Sequence, residues 1–153
     1  MQRLRSSISI PWLAASVVIV LAIWCNSMVP GSDSSEISHG VLAMVQGFLV
    51  DLGLPASWVS NFIIRKMAHF TEYAALGVSV SAALDRHAHL DCARVLSIVS
   101  TVLIAASLDE VIQLFVPGRC GQVADVLLDC MGAITGVAAS SFVRRRMAKR
   151  SIS

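Results

Sequence analysis

"VLSIVSTVLIAASLDEVIQLFVPGR", residues 95 to 119, decides the fold. Its first half is suited to hydrocarbon, yet it runs straight into Asp109, Glu110 and Gln113, turns apolar again, and breaks only at Pro117-Gly118. A helix rising 1.5 Å per residue needs about 20 apolar residues to cross roughly 30 Å of hydrocarbon, and residues 95 to 116 supply them. Asp109 then lies eight residues, or roughly 12 Å, inside the Pro117 end. An isolated charge near a helix centre costs about 2.5 to 3.5 kcal/mol on insertion scales. Two carboxylates more than a helical turn inside a span therefore need a purpose.

The rest of the chain has the same character. It is 56% hydrophobic and 14% charged, with a mean hydropathy of +0.72, too apolar for a soluble domain of 153 residues. Residues 10 to 29, 62 to 84 and 122 to 143 also qualify as spans. The apolar run after the basic start MQRLRSSISIP exceeds the usual 7 to 15 residues of a cleaved signal, so it reads as a retained span. A fifth segment, ISHGVLAMVQGFLVDLGL at 37 to 54, carries Ile37, Val41, Val45, Phe48, Leu49 and Leu52 at helical spacing, interrupted by Ser38, His39, Gln46 and Asp51. The preceding VPGSDSSE, 29 to 36, reads as a turn and helix start. The cysteines Cys25, Cys92, Cys120 and Cys130 show no C-x-x-C or Cys/His pairing and read as small apolar residues; disulfides of Cys25, Cys120 and Cys130 stay open.

Charge distribution orients the spans, because Lys and Arg accumulate on cytoplasmic flanks. Arg3 and Arg5 precede the first span, Arg86 and Arg94 sit in the turn DRHAHLDCAR, and RRRMAKR at 144 to 150 follows the last. Placing all three inside requires an even number of crossings between residues 5 and 86. The expected fold is an all-α, four-span bundle, one domain over 1–153, with both termini cytoplasmic and 37 to 54 as an amphipathic helix at the outer surface of the 30–61 loop. RRRMAKR reads as the basic cap of a terminal span rather than a nucleic-acid site, and His87 and His89 as solvated turn residues.

With that topology, polar residues of three spans reach one depth. Lys66, His69 and Tyr73 share a stripe of the second span with Glu72 on its flank; Asp109, Glu110 and Gln113 share an arc of the third; Asp125 and Asp129 stand at i, i+4 on the fourth. Gly132 and Gly136 continue the last stripe, and Gly77 and Ser81 lie beneath Tyr73, so the inner half is expected to pack closely. Polar residues can merely hold helices together, often for under about 1 kcal/mol each. This set, with Arg119 at the mouth, exceeds what gluing needs and reads as a site whose acids are protonated, hydrated or bound to a cation.

KMAHFTEYAALG (66–77), DEVIQLFVPGR (109–119) and DVLLDCMGAITG (125–136) resemble the signature segments of the VanZ-like family of bacterial membrane proteins, in order and spacing. On those segments Lys66, His69, Glu72, Tyr73, Asp109, Glu110, Gln113, Arg119, Asp125 and Asp129 match as signature residues. Ile112 often has His as its counterpart and Cys120 often Ser. The resemblance implies a small multi-span protein of the bacterial cytoplasmic membrane, in a family named for a member giving low-level resistance to the glycopeptide teicoplanin. It supplies no reaction.

Three functions compete. An outward-facing site that binds or modifies an envelope component, such as a cell-wall precursor or a glycopeptide, uses Lys66 and Arg119 against phosphate or carboxylate. A membrane enzyme acting on a lipid-linked substrate uses His69 and Glu72, beside Asp109 and Asp125, to hold a divalent cation or exchange protons; carboxylate-rich sites suit magnesium, calcium or manganese. A transporter needs a continuous polar file, and the inner halves of the spans are apolar and rich in Gly and Ala.

Overall fold

The computed structural model describes residues 8–84 and 92–150, the last three by backbone alone. The described residues form five helices: α1 (Ile10–Ser27), α2 (Gly31–Asp51), α3 (Asn61–Leu84), α4 (Cys92–Leu114) and α5 (Val123–Arg150). Arg3, Arg5, Arg86, His87 and His89, and the side chains of Lys149 and Arg150, lie outside them. Among the described residues all regular structure is helical.

Local chemistry sets the boundaries. Pro11 enters α1 in its first turn, where its missing N–H costs nothing. Pro30 ends the chain's first helical run and precedes α2. Gly53 closes α2 in the left-handed region (φ 73°), and Gly118 (φ 73°) lets the chain reverse between α4 and α5. α5 runs past the expected end at 143 because Arg and Lys are good helix formers that also complement the negative end of the helix dipole.

Contacts define the direction of each helix. The Ser9 N–H donates to the Ala83 carbonyl at 3.0 Å, and Asn26 meets Glu72, so α1 is antiparallel to α3. Lys66 meets Asp125 near the start of both α3 and α5, and Arg144 meets Ser81 near their ends, so those two are parallel. Trp24 donates to the Ala105 carbonyl and Gln113 to Ser27, setting α4 alongside α1. α1 and α4 therefore finish where α3 and α5 begin. α3 is central, packed on the other four helices.

α2 behaves differently. The Gly31 N–H donates to the Pro117 carbonyl at 3.0 Å, and Gln46 donates to the Val59 carbonyl at 2.9 Å. Both anchors lie at the end where α3 begins. Fifteen residues, roughly 22 Å of helix, separate them, so α2 runs across that end of the bundle.

The core of Tyr73, Leu76, Val80, Ile98, Val102, Ala106 and Ala133 fills the middle, with Ile23 closing it from α1. Backbone approach replaces side-chain bulk between α3 and α5. A Cβ on Gly77 would collide with the Ala133 carbonyl, one on Gly132 with Phe70 and one on Gly136 with Ala74. Outward, the helices expose apolar surface: Val18 is 65% exposed, Leu96 66% and Ile134 64%. α1, α4 and the Val123–Met147 part of α5 are long and apolar enough to cross a membrane. α3, interrupted by Arg65, Lys66, His69 and Glu72, carries the polar face those three surround. All four cysteines are free.

Candidate polar site at the bundle end

The polar residues assemble in two layers at the end where α3 begins. The outer layer is a cavity of about 380 Å³ whose lining includes Arg65, Lys66, His69, Gln113, Cys120 and Asp125. Lys66 and Asp125 form an ion pair there, with side chains 25% and 19% exposed, and the Lys66 ammonium lies 5.2 Å from the centre of the Phe62 ring. The i, i+3 and i, i+4 geometry of a helix makes the layers possible: Lys66 and His69 share one face of α3, Asp125 and Asp129 one face of α5.

Beneath the cavity lies a closed cluster. His69 Nδ1 stands 3.7 Å from Asp109 Oδ2 and 3.9 Å from Asp129 Oδ1, and both carboxylates are 0% exposed. Gln113 touches Asp109 at 3.4 Å and Ser27 at 3.2 Å, tying α4 to the end of α1. Asp109 Oδ1, both oxygens of Asp129 and His69 Nδ1 have no hydrogen-bond partner. The Tyr73 hydroxyl is likewise buried without one, near the Asp109 and Asp129 carboxylates, while the residue as a whole belongs to the core.

Other expected site residues point elsewhere. Glu72 accepts a hydrogen bond from Asn26 of α1 at 3.2 Å and does not pair with His69. Three residues of helix turn a side chain by about 300°, so Glu72 sits about 60° round α3 from His69, toward α1. Glu110 accepts the Gln122 N–H at 2.7 Å and so fastens the turn into α5. Arg119 is 8% exposed and donates through Nε to the Val29 carbonyl at 3.0 Å and through Nη2 to the Asn26 carbonyl at 2.9 Å. Burial first, then repulsion from Arg65, lowers its pKa; Asp109, Glu72 and Glu110 oppose the shift. It ties the α4–α5 turn to the end of α1, where carbonyls lack helical partners.

The sequence did not single out Asn26, Ser27 or Arg65. Asn26 and Ser27 look like the polar fringe of a span, and only the fold brings them against Glu72 and Gln113. Arg65 had a signal: it is a basic residue beside Lys66, just inside the start of the expected second span.

The arrangement offers a cation-bearing cavity wall above a largely buried imidazole and two buried carboxylates, with His69 and Gln113 shared between the layers. A family model described as VanZ/LLP1 matches residues 12–144. No curated protein and no solved structure matches the chain. The matched stretch holds α2, α3 and α4, most of α1 and α5 and both layers of the site, and the chain belongs to the VanZ/LLP1 family.

Proposed function

We propose that this VanZ-like membrane protein spans the bacterial cytoplasmic membrane with α1, α3, α4 and α5, keeps both termini in the cytoplasm, and presents its polar cavity to the outside. There it binds the anionic headgroup of a cell-envelope component. The observation that carries this reading is Arg65 on the wall of one cavity beside the Lys66–Asp125 ion pair, where a guanidinium recognises phosphate or carboxylate and an anionic ligand would compete with Asp125 for the ammonium. α2 lies across the same end as an interfacial helix, with Val41, Met44 and Phe48 exposed for contact with lipid. Binding a cell-wall precursor, or altering its exposure, would connect the site to teicoplanin-type resistance.

A second reading, a membrane-embedded enzyme acting on the bound lipid, draws on His69. Its imidazole belongs to both the cavity wall and the carboxylate cluster, which is where a proton donor or acceptor would have to stand.

The test is binding of a long-chain lipid phosphate, against the alcohol of the same chain, to the full chain in lipid nanodiscs. The phosphate should bind at least tenfold tighter, and Arg65→Ala with Lys66→Ala should abolish that difference. Equal binding of the two lipids to the wild-type protein would remove the anionic headgroup from the account.

A further inference from the structure

We propose that His69, Asp109 and Asp129 form a binding site for one divalent transition-metal ion, with manganese(II) and zinc(II) the closest chemical matches. The three residues come from three helices, and one donor atom from each lies within 4.8 Å of the others. An ion about 2.1 Å from each donor sets neighbouring donors about 3.0 Å apart and opposite ones about 4.2 Å apart. The His69 separations of 3.7 and 3.9 Å lie between those limits. The donors of Asp109 and Asp129 lie within 4.8 Å of each other, so side-chain movement of about 0.6 Å at most would bring all three pairs within those limits, with water filling the remaining positions.

Unpaired atoms give the cluster its direction. Asp129 is 0% exposed and neither of its oxygens has a hydrogen-bond partner; Asp109 Oδ1 and His69 Nδ1 also lack one. Buried polar groups are normally satisfied, and buried charges are paired or bound to metal. The nearest cations are committed elsewhere: Lys66 pairs with Asp125, and Arg119 donates to two backbone carbonyls. With both carboxylates ionised and the imidazole neutral, the three ligands would present a charge of −2 for an ion to balance. Imidazole favours transition metals and carboxylates favour manganese, so the mixed set disfavours calcium and magnesium. Gln113, hydrogen-bonded to Asp109, orients that ligand in the manner of residues around known metal sites. His69, which also walls the cavity, provides the route by which an ion enters.

The ion site is separate from the anionic-headgroup reading. Its ligands are not Arg65 or Lys66, and removing those two should leave the ion in place.

Metal content by mass spectrometry tests the site, on the full chain purified in detergent, stripped with chelator and re-equilibrated with micromolar manganese or zinc. About one ion per chain is expected. Asp129→Asn and His69→Gln should each bring it below a tenth, while Asp125→Asn retains it. In the wild-type protein a hundredfold excess of ion over Kd should raise the Tm by roughly 5 °C, reversibly with chelator. Absence of both stoichiometric ion and Tm shift in the wild type would overturn the site, whatever the variants do. Full metal content in folded Asp129→Asn would also overturn it, assigning the ion to other groups.

Discussion

Lys66 and Asp125 show how much a single pair can matter at the mouth of this bundle. Their side chains are less than a third exposed, so losing one partner strands the other in a poorly hydrated place. Lys66→Met should cost about 1 to 3 kcal/mol, less than a fully buried pair, and adding Asp125→Leu should recover most of it. Thermal unfolding in detergent decides; a single variant as stable as wild type would show the pair to be solvated. Arg119 carries a different expectation once its partners are known. Its place in PGRCGQ suggested a ligand contact, whereas two hydrogen bonds to the end of α1 make it a clamp. Arg119→Ala should therefore cost about 2 kcal/mol, with Arg119→Lys recovering part of it, because a point charge replaces only part of a planar fork. An undiminished Tm in the Ala variant would contradict the clamp. Residue types and depth were legible in the sequence; partners such as Asn26 and Ser27 were not, because they come from a helix 46 or more residues away.

At the scale of the elements, α3 and α5 are joined through their glycines. Gly132 and Gly77 leave no room for a Cβ, while Gly40 and Gly47 on α2 have open space around them. Gly132→Ala should therefore lower stability by about 1 to 3 kcal/mol through overpacking, and Gly47→Ala should be neutral or raise it slightly by helix propensity. Equal Tm values for the two variants would refute close α3–α5 packing. The small-residue stripe announced this contact, since spacing along one helix face is a local property. The apolar runs likewise announced α1, α4 and α5. The start of α2 at Gly31 falls within VPGSDSSE, which reads as a turn and helix start, although the apolar periodicity begins only at Ile37. What the sequence left out is the long-range partner of that turn, since the Gly31–Pro117 hydrogen bond joins residues far apart along the chain.

The whole molecule joins two properties that conflict in isolation: an apolar exterior and a charged centre. The directions of α1, α3, α4 and α5, with α2 lying across one end, match a chain whose first loop stays on a single side of the membrane. Single cysteines at 34 and 88, in a background lacking Cys25, Cys92, Cys120 and Cys130, should react with an impermeant reagent at 34 and stay protected at 88. Label at 88 alone would invert the molecule and turn the cavity inward. Beyond topology stands the claim that the charged centre acts rather than merely binding helices to each other. Asp109→Asn separates the two, because it keeps size and hydrogen-bonding capacity, lowers the cost of burial and removes the charge. The direct measurement compares it with wild type at matched membrane levels, in glycopeptide susceptibility or whichever envelope phenotype deletion produces. Our account predicts a variant that is folded, at least as abundant, and unable to restore the phenotype. Full restoration by Asp109→Asn would contradict it and leave the buried acids as helix contacts alone.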